Sequence, residues 1–144
     1  MFKVANHVGR LVEVRLASPL DLADVQRFVQ EMVAVMEKVK GKYVGVVDML
    51  DAHVFPAAVA DKLSLMLSGA ATRVERTAML IGNSAVFGMQ VERVIRDANN
   101  PNRRVFRVTR EMVSWLSEIL TPAERARVER LAEEIEARRT PAQA

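Results

Sequence analysis

The stretch YVGVVD, residues 43–48, decides the fold class of this chain. It is almost wholly apolar, carries a single charge at its end, and lies between two segments with helical periodicity. Such a short apolar run is typical of a central strand covered on both faces, as in a parallel or mixed sheet. Ligands and partners usually meet an open α/β sheet at the carboxyl ends of its strands. Functional residues are therefore sought first in residues 48–58.

The composition indicates a single globular domain. The chain has 144 residues, of which 50% are hydrophobic and 27% charged, and this balance excludes a disordered protein. It contains no cysteine, which excludes disulfides, thiolate metal sites and cysteine nucleophiles and fits a reducing compartment. The first residues lack the apolar region of a signal peptide, and no apolar run approaches the roughly 20 residues of a membrane span. A cytoplasmic protein without a membrane span is expected.

Upstream of the central stretch, the pattern predicts a hairpin and a helix. Residues 2–7 and 11–16 have the alternation of short strands, and Gly9 between them can adopt a positive φ. A helix then runs to Gly41. Its cap is either Ser18, followed by Pro19 at the first helical position, or Asp21.

Downstream, strands and helices alternate. We predict helices over residues 57–68, from residue 83 or 84, and after Thr109, with Val86 on the buried face of the second of these. Strands are predicted at residues 77–82 and 104–108. The element order is β-β-α-β-α-β-α-β-α, followed by one extra helix. The predicted fold class is therefore α/β, with a mixed, mainly parallel sheet of about five strands.

The sequence divides into a domain, an extra helix and a short tail. Residues 1–120 form the α/β domain, residues 121–139 form a charged amphipathic helix that begins with the capping box Thr121–Glu124, and residues 140–144 are expected to be disordered. The helix has one narrow apolar stripe: Val128, Leu131 and Ile135. Two interpretations stay open, in which this stripe packs on its own domain or on a second copy of the chain.

Catalytic signatures are missing from the sequence. Asp48, Asp51 and His53 lie close together after the central stretch, but one histidine and two aspartates in a turn are common, and the aspartates can simply order the turn. The glycines form neither a dinucleotide-binding nor a phosphate-binding loop. The sequence therefore predicts no catalytic residue, no metal and no cofactor.

Residues 93–110 form a basic segment with six arginines and one acid, Asp97. One interpretation is a solvated edge, and the other is a face for an anion or an acidic partner. Phe106 is the one aromatic residue among these arginines, so stacking platforms for nucleic acid are not expected. The residues predicted for the anion face are Arg93, Arg96, Arg103, Arg104 and Arg107, with Arg110 completing the segment.

The chain resembles the STAS/SpoIIAA-like family, the fold of bacterial anti-sigma-factor antagonists. The resemblance lies in the opening hairpin, the central strand with its turn and helix, residues 74–81, and the final strand and helix at residues 104–107 and 111–116. It covers about residues 1–120. Phosphoswitched antagonists carry a serine or threonine where this chain has Pro56, Ala57 and Ala58. The resemblance therefore implies a docking module that phosphorylation does not switch at that position.

This resemblance implies a non-enzymatic protein-interaction module, acting as a regulatory adaptor or scaffold in signalling. The partner would be another protein, and a homo-oligomer is a further expectation. We predict the partner-binding residues to be Asp51, His53, Val54, Phe55 and Pro56, with Phe55 either a surface anchor or a plug of the core. The alternative function is a carrier or sensor of a small apolar or anionic ligand. It implies a pocket between helices and sheet, as in the related CRAL-TRIO fold, edged by Arg93, Arg96 or Arg103.

Overall fold

The computed structural model describes residues 1–139, which form one sheet and five α-helices. The strands are β1 (Phe2–Ala5), β2 (Leu11–Leu16), β3 (Tyr43–Asp48), β4 (Val74–Leu80) and β5 (Arg103–Phe106). The α-helices are α1 (Leu22–Met36), α2 (Ala57–Gly69), α3 (Ala85–Asp97), α4 (Thr109–Ser117) and α5 (Pro122–Arg138).

The five strands lie in the order β1-β2-β3-β4-β5. β1 pairs antiparallel with β2, and the three remaining pairs are parallel. The sequence prediction of a mixed, mainly parallel α/β sheet is confirmed. β3 is the middle strand, and five of its six residues are buried, as expected for a strand covered on both faces.

One face of the sheet, the first face, packs against α1, α2 and α3. It carries Val12, Val14, Tyr43 and Met79 on its strands. The helices add apolar side chains from successive turns: Val25, Phe28, Val59, Leu63, Phe87 and Val91. This larger cluster forms the main core.

The opposite, second face is covered by α4 and α5. The strands contribute Leu11, Val44, Val46 and Leu80, and the helices contribute Met112, Leu116, Val128 and Ile135. Because Val128 is 0% and Ile135 1% exposed, the stripe on α5 packs on its own domain, the first of the two interpretations from sequence. The predicted disordered tail, residues 140–144, lies outside the described residues.

The opening hairpin is shorter than predicted. β1 ends at Ala5 because the Asn6 amide turns back and donates to the carbonyls of Gly9 (2.9 Å) and Leu11 (2.8 Å). His7 therefore lies exposed in the loop, and the prediction that it is a strand residue is wrong. Gly9 has φ +52°, the left-handed conformation that the sequence predicted.

Helix α1 uses the second of the two predicted caps. The Asp21 carboxylate accepts from the Asp24 amide (2.8 Å) and the Asp24 carboxylate accepts from the Asp21 amide (3.0 Å), which makes a reciprocal capping box. Ser18 is thereby released for a contact with the turn after β3. The helix ends at Met36, five residues before the predicted stop at Gly41.

Three further boundaries differ from prediction. A 3-10 helix, Ala71–Arg73, leads into β4, which begins at Val74 because Tyr43 and Val74 pair across a register shift in the ladder. β5 ends at Phe106. Thr109 does not cap α4 but lies in its first turn, where its hydroxyl bonds to Glu136 of α5.

Among residues 1–139, no helix has the length and apolar character needed to cross a membrane.

Candidate interaction site

The turn after β3, residues 49–56, lies at the carboxyl edge of the sheet. The Met49 amide donates to the Leu80 carbonyl at 2.9 Å, so the turn begins while still attached to β4. The Asp48 carboxylate accepts a hydrogen bond from the Leu50 amide at 3.0 Å. This bond confirms the turn-ordering role that the sequence predicted for Asp48.

Arginines hold the two carboxylates of this edge. Asp48, whose side chain is 7% exposed, pairs with Arg138 of α5. Asp51 pairs with Arg138 at 3.0 Å and with Arg15 of β2 at 2.5 Å. These ion pairs tie the turn to β2 and α5, so both carboxylates serve the architecture of the edge. His53 lies exposed beside them. In the described part of the chain, no group of three or more His, Cys, Asp or Glu side chains could hold a metal ion.

The turn is held on both of its sides by side chains from other elements. On one side, the His53 amide donates to the Ser18 hydroxyl (3.0 Å), and the Ser18 amide donates to the Asp51 carbonyl (3.2 Å). On the other side, the Gln90 side chain of α3 pairs with both main-chain groups of Phe55, each at 2.8 Å. Residues 51–55, of which Asp51, His53 and Val54 are exposed, are therefore held from both sides.

The predicted partner-binding residues divide into exposed and buried ones. Val54 is 46% exposed, and Asp51, His53 and Pro56 are exposed as well. Phe55 is only 5% exposed, and its ring stacks edge-on against Phe87 at 5.4 Å. Phe55 is therefore the core plug that the sequence left open as an alternative. The apolar side chain that the turn presents is Val54.

Two apolar side chains of α3 are exposed next in sequence to the residues that hold the turn. Phe87 and Gln90 hold the turn, and their sequence neighbours Val86 and Met89 are 65% and 73% exposed. The prediction that Val86 is buried is wrong, because the buried face of α3 follows Phe87, Val91 and Ile95 at intervals of four residues. That spacing in the sequence already separates Val86 from the core stripe. The patch of Val54, Val86 and Met89 is called here the carboxyl-edge patch.

The structure divides the predicted anion face, because Arg96 and Arg107 line one cavity beside α3 whereas Arg104 lies on the second face of the sheet. Arg93 and Arg96 lie exposed on α3, and Arg93 is 3.9 Å from Asp97 of the same helix. Arg104 lies over the Trp115 ring on the second face, with its guanidinium carbon 5.5 Å from the ring centroid. Arg107 is exposed but bonds to the Gly82 carbonyl beside α3. The alternation of β5 thus sends its arginines to opposite faces of the sheet.

Arg103 differs from the others because it is buried, with 5% of its surface exposed. Its Nη2 donates to the Leu67 carbonyl of α2 at 2.7 Å, whereas Nε and Nη1 make no hydrogen bond within residues 1–139. Burial lowers the pKa of Arg103, and the neighbouring Tyr43 hydroxyl partly opposes that shift. Arg103 therefore lies apart from the exposed arginines, and its guanidinium faces the C-terminal end of α2.

A groove lies between α1 and α2 on the first face, at the amino end of β3. Its volume is about 440 Å³, and the three methionines Met32, Met36 and Met66 line it together with Tyr43 and Arg73. Neither Arg93 nor Arg96 lines this groove, whereas Arg96 lines a separate cavity of about 600 Å³ between α3 and β5. Arg103 lies behind it, against Leu67 and Tyr43, which are both lining residues.

No protein-family model matches this chain, and no curated protein matches it significantly. The fold and the site define an α/β domain with a mixed five-stranded sheet and a fixed, exposed turn at the carboxyl edge of that sheet.

Proposed function

We propose that this chain is a non-enzymatic protein-interaction domain with a STAS-like fold, acting as a regulatory adaptor or scaffold. Its docking surface is the carboxyl-edge patch with the flanking polar residues Asp51 and His53. One observation carries the proposal: the turn after β3 is exposed, yet both of its sides are fixed by hydrogen bonds to Ser18 and Gln90.

A fixed, exposed turn favours binding for a thermodynamic reason. Ordering an exposed segment on association costs free energy, and a segment that is already ordered avoids much of that cost. The described contacts hold residues 51–55 from two directions, while the Val54 side chain remains 46% exposed. A partner would therefore meet a preformed surface with apolar side chains at its centre and polar ones around it.

The carboxylates support an interaction role over a catalytic one. A general base needs a carboxylate that can reach a substrate proton. Asp48 is buried and paired with Arg138, and Asp51 is paired with both Arg138 and Arg15. These ion pairs hold the turn that presents Val54. Asp48 and Asp51 are therefore engaged in the structure of the turn and are not free to act as a general base.

The family resemblance supports the same docking surface. This chain departs from the family at that surface, because it has no serine or threonine there to phosphorylate. The surface lies where α2 begins, with Pro56 as its N-cap and the exposed residues Ala57 and Ala58 after it. No hydroxyl is present at these three positions. Docking at this surface is therefore constitutive with respect to phosphorylation there.

The proposal is tested by affinity capture from a lysate of the source organism, comparing wild type with Val54→Asp. The matched control is Leu65→Asp, which places the same charge at a 69% exposed apolar position on the outer side of α2. We expect wild type and Leu65→Asp to capture the same protein, and Val54→Asp to lose at least about tenfold of it, because a buried unpaired charge disrupts the apolar centre of an interface. Circular dichroism first establishes that both variants are folded. Equal capture by the two variants would contradict the proposed surface.

A further inference from the structure

We propose that the groove between α1 and α2 binds a small amphipathic carboxylate, with the apolar chain along Met32, Met36 and Met66 and the carboxylate on Arg73. This groove lies at the amino end of β3, whereas the carboxyl-edge patch lies at its other end, so the two sites are tested separately.

The size and the lining of the groove match a small-molecule site. Its volume of about 440 Å³ falls in the range of roughly 300–1,000 Å³ that is usual for such sites. Most of its lining is apolar, from Val29, Met32, Val33 and Met36 of α1 and Met66 and Leu67 of α2. Methionine side chains are unbranched and flexible, so they adapt to a flexible alkyl chain.

A second apolar cavity shares two lining residues with the groove. Met66 and Leu67 also line a second, more enclosed cavity of about 60 Å³, bounded by Phe28, Val47 and Met79. Its lining is apolar apart from Gln90, so the end of an alkyl chain that passes Met66 would meet few polar groups.

Arg73 supplies the anion-binding group at the polar end of the groove. Its Nε donates to the Gly41 carbonyl (3.2 Å), and its Nη2 donates to the carbonyls of Gly41 (2.9 Å) and Val39 (3.1 Å). Nη2 also lies 3.5 Å from the Met36 carbonyl, so these bonds fix the guanidinium and involve only Nε and Nη2. A guanidinium held in this way can donate to a carboxylate through the two N–H groups of Nη1.

The charge around the polar end also favours an anion. Lys38, Lys40 and Lys42 are exposed in the segment that Arg73 holds, and Glu37 is the one acid among the lining residues. Behind the groove, the guanidinium of Arg103 is buried against Leu67 beside the Tyr43 hydroxyl, and no acid of the described chain pairs with it. A buried cation without a counter-ion raises the local potential and attracts a negative headgroup.

Three probes with the same alkyl chain and different headgroups distinguish the contribution of the headgroup to binding from that of the chain. Binding of dodecanoate, dodecanol and dodecyltrimethylammonium to the full chain is measured by titration calorimetry below their micelle-forming concentrations. We expect dodecanoate to bind at least about tenfold tighter than dodecanol, since a charge-assisted bond to Arg73 is available only to the carboxylate, and the cation to bind weakest. Equal affinities of the three probes would overturn the proposal.

Two variants locate the binding. Met66→Trp fills the groove and should abolish dodecanoate binding, whereas the control Leu65→Trp, at a 69% exposed position of the same helix that does not line the groove, should bind like wild type. Arg73→Gln should reduce the preference for dodecanoate over dodecanol to less than about twofold, and Arg73→Lys should retain part of it. Unchanged binding in Met66→Trp overturns the proposal, as does a preference that survives in Arg73→Gln. If wild type does not bind dodecanoate but sediments as a dimer, and Met66→Trp disrupts that dimer, the groove is a dimer interface and the proposal is overturned.

Discussion

Ion pairs between individual residues hold α5 on the second face of the sheet. Glu13 of β2, whose side chain is 10% exposed, accepts two hydrogen bonds from Arg127 of α5, at 2.8 and 2.7 Å. This bidentate pair is more enclosed than the Asp48–Arg138 pair, because Arg127 is 17% and Arg138 37% exposed. A buried pair contributes mainly through the cost of losing one member, which leaves the other charge unpaired.

Arg127→Ala should therefore lower the free energy of unfolding by about 3 kcal/mol, since it leaves the Glu13 carboxylate buried without a cation. Arg130→Ala is the matched control: the same substitution at an exposed arginine of the same helix, with an expected change below about 0.5 kcal/mol. Urea unfolding followed by circular dichroism measures both. Losses of similar size would contradict a specific role of the Glu13–Arg127 pair.

Glu124 gives the stability a pH dependence. Burial alone would raise its pKa, but hydrogen bonds from the Thr121 and Arg10 amides and the charge of Arg10 outweigh burial and hold the pKa below its ordinary value near 4.5. A carboxyl whose pKa is lower in the folded state stabilises the fold above the ordinary pKa, and this contribution is lost as the pH falls through the folded value.

Glu124→Gln should consequently be less stable than wild type at neutral pH, and the difference should shrink as the pH falls below about 4.5. Urea unfolding at several pH values measures this difference, with Glu129→Gln on the exposed side of α5 as the control. A Glu124→Gln deficit that stays constant down to about pH 3 would contradict the linkage.

At the scale of elements, the hairpin before β2 depends on Gly9. A Cβ at this position would lie 2.4 Å from a carboxylate oxygen of Glu124, and the backbone there is left-handed, with φ +52°. Gly69, in the last turn of α2, has no atom within 4 Å of the corresponding Cβ position. Substitution by alanine is therefore strained at Gly9 and unhindered at Gly69.

We expect Gly9→Ala to lower the free energy of unfolding by more than about 1 kcal/mol and to weaken the docking of α5 through Glu124. Gly69→Ala should raise stability by up to about 1 kcal/mol, because alanine reduces the freedom of the unfolded chain. Thermal unfolding of both variants is the measurement. A Gly9→Ala protein as stable as wild type would contradict the close contact between the hairpin and α5.

Helix α5 is an integral part of the core. Ile135→Ala should lower the free energy of unfolding by about 2–4 kcal/mol, since Ile135 is 1% exposed, whereas Leu65→Ala at a 69% exposed position should change it by less than about 0.5 kcal/mol. Chemical denaturation compares the two. Equal, small effects would indicate that α5 detaches from the sheet, as its sparse apolar stripe allowed.

The periodicity of the sequence predicts which segments are helices and which are strands. Contacts between residues distant in sequence determine the features that periodicity does not predict. The apolar run of β3 and the spacing of Phe87, Val91 and Ile95 predict their elements directly. The end of β1 depends on the Asn6 amide, and the burial of Phe55 depends on Phe87, which is 32 positions away. The turn after β3 was predicted as the site, but its fixation by Ser18 and Gln90 has no local signal in the sequence.

At the scale of the whole molecule, the sheet separates two surfaces with different chemistry. At the carboxyl ends of its strands lies a turn with the exposed residue Val54, followed on α3 by the exposed residues Val86 and Met89, and the acids of this turn are paired with arginines. At the amino end of β3 lies the methionine-lined groove with Arg73. The core between them contains Phe55 and Met66, so both surfaces rest on the same packed layer.

The central claim, that the carboxyl-edge patch binds a protein, is tested most directly by site-specific photo-crosslinking. p-Benzoylphenylalanine is introduced in place of Val54 in one protein and in place of Leu65 in another, and each is irradiated in lysate of the source organism. The account predicts one discrete crosslinked protein from position 54 and none from position 65, and purified partner should then reproduce the crosslink. A crosslink from position 65 without one from position 54 would contradict the claim.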